Sequence, residues 1–297
     1  MLSIKLRAYA KINLGLRILK KRDDGYHDIE TVFHRVNPYD EIILRSSSKI
    51  SFESDSPHLL TDDNNLCVKA AKLLQRWSGK ENGVHILLKK NIPIGAGLGG
   101  GSSDATSTLI GLVKLWNINI KKEELSKLAL QLGSDVPYFL DDLTAYATGR
   151  GEVLEYFKLE IPYWIVLVYP NIHIKTKWAY ESLYDPRFAK HEQTIDKQIS
   201  GITLKQILLQ NIHDPSKLNH LVRNDFEPIV LHEHKIVSHV KESIYSAGAK
   251  FAQMSGSGSA VYGFFNSKKD TANAAAILKK NYQVFVTPPD FNVDMDA

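Results

Sequence analysis

The 297-residue chain predicts an α+β protein built as two halves around one cleft. Three observations point there. Apolar residues alternate with a period of two near the start, apolar stripes with helical spacing begin near residue 66, and a second series of strands and helices opens after residue 164. A hydrophobic content of 43% with 24% charged residues suits a packed core at this length.

Ile4, Leu6, Ala8, Ala10, Ile12, Leu14, Leu16 and Ile18 fall on one face of a period-2 pattern and predict one or two strands. Arg22-Asp23-Asp24-Gly25-Tyr26 has the Asp-Gly punctuation of a tight reversal, and residues 29–36 and 41–44 continue as strand. Asn64 or Asn65 is placed to cap a helix whose Leu66, Ala70, Leu73, Leu74 and Trp77 share one stripe. Residues 84–88 return as a strand and lead into a glycine-rich loop. Behind that loop, Ala105, Leu109, Leu112, Val113 and Trp116 recur at helical spacing. A third helix, apolar at Leu125, Leu128, Ala129 and Leu132, stops at Gly133, which reads as a C-cap.

The pattern changes around Thr148-Gly149-Arg150-Gly151-Glu152. It resumes with a strand over 165–168, helices near 202–210 and 236–247, strands near 249–254 and 260–265, a helix over 269–280 and a strand over 283–287. The predicted division lies near residue 155, giving domains 1–155 and 156–297 without a Pro- or Ser-rich linker between them. The acidic tail from Pro288 to Ala297 reads as a loose terminus.

Lys and Arg number 37 against 33 Asp and Glu, a formal charge of +4 that is spread along the chain. Without a clustered basic face, nucleic acid is not an expected partner. The excess suits an anionic small substrate, and equally no particular partner. Cys67 is the single cysteine, so no internal disulfide framework is possible; it reads as a buried, inert thiol in a reducing cytoplasm. No run of 18 apolar residues occurs, and the opening alternates like a strand instead of building a signal-peptide core, so no membrane is expected.

Three segments look too specific to be core. Pro93-Ile94-Gly95-Ala96-Gly97-Leu98-Gly99-Gly100-Gly101-Ser102-Ser103-Asp104-Ala105 runs five glycines into two hydroxyls, a carboxylate and a helix. Glycine allows close backbone approach to an anion and positive φ, and the helix start aims unpaired N–H groups and the positive dipole end at it. A phosphate cradle fits better than a flexible linker, which an amphipathic helix rarely follows at once. It is neither a Walker A loop, which ends in Gly-Lys-Ser/Thr, nor a Rossmann fingerprint, whose glycines are spaced. Ala8-Tyr9-Ala10-Lys11-Ile12-Asn13-Leu14 is the second segment, with Lys11 and Asn13 pointing the same way by alternation. The third, Met254-Ser255-Gly256-Ser257-Gly258-Ser259-Ala260, permits close approach to a ligand or makes a tight hairpin. On residue type alone, Lys11 also reads as an exposed strand lysine and Asp135 as a cap following Gly133.

In their order and spacing these segments resemble the GHMP kinase superfamily over nearly the whole chain. Ala10-Lys11-Ile12-Asn13-Leu14-Gly15-Leu16, Asp24-Gly25-Tyr26-His27 and Leu132-Gly133-Ser134-Asp135-Val136-Pro137-Tyr138-Phe139 are similar to motifs of its 4-diphosphocytidyl-2-C-methyl-D-erythritol kinase family. The resemblance implies a ribosomal-protein-S5-like N-terminal domain, a ferredoxin-like C-terminal domain and an active site between them. It also implies ATP and Mg²⁺ as cofactors, and a cytidine diphosphate conjugate of methylerythritol as the small-molecule substrate, handled by a monomer or homodimer. Asp135 would be the base and Lys11 its catalytic partner. Pro93, Ile94, Gly95, Ala96, Gly97, Leu98, Gly99, Gly100, Gly101, Ser102 and Ser103 would hold ATP, with Ser102 or Ser103 open to the metal. Asn65 would contact adenine, or cap its helix. Tyr26 and His27 would recognise cytosine, Tyr180 would stack on it with Trp178 as a substitute, and Asn13 would bind the erythritol or phosphate part. The chain departs from the family at Asp141-Asp142, where a glycine-bearing connection is usual, and the lysine that some members carry shortly after the catalytic aspartate is not evident. Alternatives are another GHMP small-molecule kinase acting on homoserine, mevalonate or a sugar, and a nucleotide-binding regulator without transfer activity.

Overall fold

The computed structural model describes residues 2–57, 59, 63–185 and 201–296. The chain opens with a long antiparallel pair, β1 (Ser3–Lys21) and β2 (His27–Ser47). The predicted Asp-Gly reversal joins them: Asp24 Oδ1 accepts the Tyr26 N–H at 3.1 Å, and Gly25 takes φ +82°. The single apolar face expected for β1 does not persist. Register shifts after Tyr9, Asn13 and Ile18 break the alternation, and residues 8–16 are buried throughout. β1 runs between two cores. Ala8 packs with Leu74, Leu109 and Leu112, whereas Ala10, Ile12 and Leu14 pack with Leu167, Leu208 and Phe264 of the second half.

β3 (Ile50–Ser54), β4 (Gly83–Lys89), β5 (Thr144–Thr148) and β6 (Val153–Phe157) complete a six-stranded sheet ordered β3-β4-β2-β5-β6, with β1 along the other edge of β2. β3 and β4 are parallel and the other pairs antiparallel. Residue 155, the predicted division, lies within β6, which pairs with β5. The helices are α1 (Leu66–Ser78), α2 (Gly100–Leu115) and α3 (Lys122–Leu132). Gly133 ends α3 as the C-cap expected from the sequence, with an extended backbone at φ 162°. Cys67 is buried in α1, and burial pushes its thiol up.

The second sheet contains β7 (Trp164–Tyr169), β8 (Phe251–Met254), β9 (Val261–Phe265) and β10 (Gln283–Thr287), all antiparallel in the order β10-β7-β9-β8. Numbered from β7, that is the 4-1-3-2 order of a ferredoxin-like sheet, as expected. Its helices are α4 (Thr176–Ser182), α5 (Leu204–Asn211), α6 (Pro215–Leu221), α7 (Glu227–Glu233), α8 (Lys235–Ser246) and α9 (Lys268–Leu278). α4, α6 and α7 span seven residues each, too short for a stripe to repeat, and escaped the sequence reading.

The tail is not loose. The Arg7 N–H donates to the Met295 carbonyl at 2.9 Å, Phe291 packs edge-on against Tyr9 at 5.4 Å, and Arg7 pairs with Asp294. It covers an exposed part of the β1 edge, which would otherwise leave backbone groups unpaired. Among the described residues no helix is long and apolar enough to cross a membrane.

Candidate active site

The three separated segments meet. The Lys11 N–H donates to the Leu98 carbonyl at 3.0 Å, the Ala260 N–H donates to the Ala96 carbonyl at 3.1 Å, and Ser255 Oγ donates to the Gly97 carbonyl at 2.9 Å. The glycine loop is therefore held by β1 on one side and by the 254–260 turn on the other. That turn is itself fixed by Asn224, whose Nδ2 donates to the carbonyls of Met254 and Gly256, each at 2.8 Å. Glycine is required at residue 97. Its φ is +78°, and a Cβ there would lie 2.1 Å from the Ser255 carbonyl oxygen. Gly99, at φ +68°, precedes α2 and offers no capping side chain, so the first N–H groups of the helix face outward unsatisfied by a cap. Ser102 and Ser103 lie in the first turn. Ser103 Oγ is buried and makes no hydrogen bond.

Beside the loop lies a cleft of about 730 Å³ lined by Gly97 and Gly99, by Lys11, Asn13 and Asp135, and by Tyr26, His27 and Tyr180. Lys11 and Asp135, 124 positions apart, approach within 3.5 Å from Nζ to Oδ2. Asp135 is placed by the short turn between Gly133 and the 3₁₀ helix Pro137–Leu140, with the Val136 N–H donating to the Gly133 carbonyl. That turn is gripped from below: the buried Arg35 guanidinium donates to the Phe139 carbonyl at 2.9 Å and the Asp141 carbonyl at 3.2 Å. The unusual acidic pair is thereby absorbed locally, since Asp141 also pairs with Lys122 at 2.6 Å.

Lys11 is 4% exposed, so it is not an exposed strand lysine. Its Nζ donates to Asn13 Oδ1 at 2.6 Å and lies over the Phe33 ring at 4.8 Å. Burial lowers the ammonium below the usual lysine range, and the Asp135 charge opposes that pull. Asn13 is itself oriented, because its Nδ2 donates to Thr31 Oγ1 at 2.9 Å and Thr31 donates on to the Gly15 carbonyl. Tyr26 is 56% exposed at the rim.

His27 and Tyr180 stack at 4.8 Å with a 20° interplanar angle, and His27 Nε2 meets the Tyr184 hydroxyl at 2.5 Å. Burial lowers the His27 pKa, and nearby Lys21 adds to the effect, favouring the neutral ring. Burial also pushes the Tyr180 phenol up to about 12, with the Asp135 charge contributing. Trp178 turns away and packs edge-on against His234 at 5.0 Å. Asn65 does not line the cleft; its Oδ1 accepts the Cys67 N–H at 2.8 Å and caps α1.

Arg150 and Tyr184 are among the lining residues that went unread. Arg150 lays its guanidinium over the Tyr26 ring at 4.7 Å, and Tyr184 completes the wall behind His27. A signal existed for each. Arg150 sits in the Gly-Arg-Gly-Glu break, and Tyr184 follows Tyr180 by one helical turn.

Residues 65–149 match the GHMP kinases N terminal domain family and residues 204–284 the GHMP kinases C terminal family. A protein of Chlorobium phaeobacteroides (strain BS1) called 4-diphosphocytidyl-2-C-methyl-D-erythritol kinase is 44% identical over 98% of this chain and 99% of its own. One of the same description from Prosthecochloris aestuarii (strain DSM 271 / SK 413) is 45% identical over 98% of this chain and 99% of its own. A crystal structure of 4-(cytidine 5'-diphospho)-2C-methyl-D-erythritol kinase superposes with a TM-score of 0.78 at 30% identity, covering 96% of this chain and 98% of that one. A homoserine kinase from Cytophaga hutchinsonii shares the fold, with a TM-score of 0.70 at 20% identity over 98% of this chain and 95% of that one. Two matching domains and full-length likeness at this identity place the chain in the 4-diphosphocytidyl-2-C-methyl-D-erythritol kinase family of the GHMP kinases.

Proposed function

We propose that the chain transfers the γ-phosphoryl group of ATP to the 2-hydroxyl of 4-diphosphocytidyl-2-C-methyl-D-erythritol, a step of non-mevalonate isoprenoid precursor synthesis. The observation that carries the reading is the Lys11–Asp135 pair, set between a glycine cradle and an aromatic wall in one cleft. An alcohol is a poor nucleophile. Asp135 accepts its proton as the oxygen bonds to the γ-phosphorus and the bridging bond to ADP breaks. Lys11, already desolvated, faces the Asp135 carboxyl and stabilises charge that develops on the transferring group, an effect of a few kcal/mol in sites of this kind.

The glycine-loop amides and the start of α2 receive the nucleotide phosphates. Mg²⁺ fits here: the Ser103 hydroxyl is an unsatisfied oxygen in the first turn, and Ser102 is beside it. Bound with ATP, the ion would neutralise phosphate charge. Asn65 Oδ1 is committed to capping α1, so we assign Asn65 first to that helix and only second to the adenine.

On the other side, Tyr26, His27 and Tyr180 take the cytosine, and Asn13 is spent first on orienting Lys11. His27 and Tyr180, at 4.8 Å, leave no room for a third ring between them, so a base entering there parts the stack. Arg150 offers a guanidinium to an anionic substrate at the rim.

Asp135→Asn tests the assignment. It should lower kcat by at least about 100-fold, the scale of a lost general base, while calorimetry still shows ATP binding. Loss of ATP binding together with turnover would make Asp135 structural.

A further inference from the structure

We propose that Lys90, held between Asp40 and Asp104, is a positioning residue that ties the entry of the glycine loop to its exit and so sets the nucleotide cradle. The inference rests on the nucleotide reading given above. Five glycines make residues 95–101 a soft stretch of backbone, which adopts one shape only if its ends are held.

The entry is held by β2. Asp40 is fully buried, and its Oδ1 accepts the N–H groups of Asn91 at 2.6 Å and Ile92 at 2.8 Å, the two residues that lead into Pro93. Asp40 Oδ2 pairs with the Lys90 ammonium. The exit is held by the same ammonium, which reaches Asp104 Oδ2 at 2.8 Å, within the second turn of α2. The side chains of Lys90 and Asp104 are 6% and 4% exposed. Asp104 Oδ1 has no hydrogen bond, and Oδ2 takes the Lys90 ammonium, with the Asp40 carboxyl close enough to interact with it as well.

Lys90 also sits directly beneath the cradle. A Cβ built on Gly100, the first residue of α2, would lie 3.0 Å from Lys90 Nζ and 3.0 Å from Ile92 Cγ2. A single buried cation thus touches the strand end, the loop end and the helix start together. None of these three charged residues lines the substrate cleft, so their effect on the alcohol substrate is indirect and small.

Asp104→Ala tests this with little risk to folding. It leaves Lys90 paired with Asp40, puts a good helix former in α2 and cuts only the tie to the exit. The expected result is an ATP KM raised about tenfold, the size typical of losing a residue that orients a binding group, with the KM for the alcohol within about twofold. Hydrogen exchange of the amides of residues 95–101 should quicken in the ATP-free protein. Lys90→Met should act in the same direction and more strongly. The proposal is overturned if folded Asp104→Ala leaves both the ATP KM and the loop exchange unchanged, or if ATP and alcohol constants shift together with a fall in Tm. Titration of wild-type protein with ATP separates the two readings: absence of ATP binding there rejects the nucleotide site itself.

Discussion

At Lys11 two pulls compete. Burial lowers the ammonium, while the Asp135 charge at 3.5 Å pulls the other way and the Phe33 ring lies under Nζ. His34, on the same β2 strand as Arg35, shows burial without a counter-charge. Its pKa is lowered to about 4, and its Nδ1 meets Thr144 Oγ1 at 2.8 Å. The folded pKa lies below the unfolded value of 6.5, so the unfolded chain binds the extra proton and stability falls as pH drops from 6.5 toward 4. Between pH 7 and pH 5 this amounts to about 2 kcal/mol, measurable by urea unfolding, and His34→Gln should flatten that part of the profile. An unchanged slope in the variant would exclude His34 as its source. Single residues were legible where a motif carried them: Lys11, Asn13, Tyr26, His27, Asp135 and Tyr180 were all named from sequence, and the fold gathers them into one cleft. Tyr184 and Arg150 were not: one helical turn from Tyr180 and a place in the Gly-Arg-Gly-Glu break mark the positions, but their roles come from partners far away in the chain, His27 and Tyr26.

The glycine loop is where element and chemistry coincide. Strand, loop and helix were legible because apolar periodicity changes from two to 3.6 across the glycines. What holds the loop was not legible, since Leu98, Ala96 and Gly97 are fixed through their backbone carbonyls, which carry no residue signature. Gly97→Ala should be severe. A side chain at φ +78° against a carbonyl oxygen costs at least about 2 kcal/mol, and ATP KM should rise about tenfold or more. A variant with normal ATP kinetics would show that the loop does not need its present path. The β1 strand teaches the opposite lesson. Its period-2 pattern predicted one apolar face, yet bulges and a second core bury both faces, because β1 is shared by the two halves.

Across the whole molecule, the halves are joined by buried polar contacts as well as by the shared core. Glu30 is 5% exposed, and its carboxylate accepts from the Leu204 N–H at 2.7 Å, Tyr146 Oη at 3.1 Å and Arg17 at 3.0 Å, linking β2 to the start of α5. Glu30→Ala strands those donors and should cost about 3 kcal/mol, lowering Tm by about 5 to 10 °C in a thermal scan; a smaller change than about 1 kcal/mol would mean water satisfies them. The ferredoxin-like order of the second sheet followed from the resemblance and is the order observed, whereas α4, α6 and α7 lay below the length at which periodicity speaks. The docked tail was missed because Phe291 and the Met295 carbonyl gain meaning only against Tyr9 and Arg7 at the other end of the chain. The most direct measurement of the central claim is ADP release by the purified protein with ATP and Mg²⁺, comparing 4-diphosphocytidyl-2-C-methyl-D-erythritol with homoserine, mevalonate and galactose. Turnover with the cytidylated alcohol alone is the predicted result; turnover with another alcohol, or with none of the four, would contradict it.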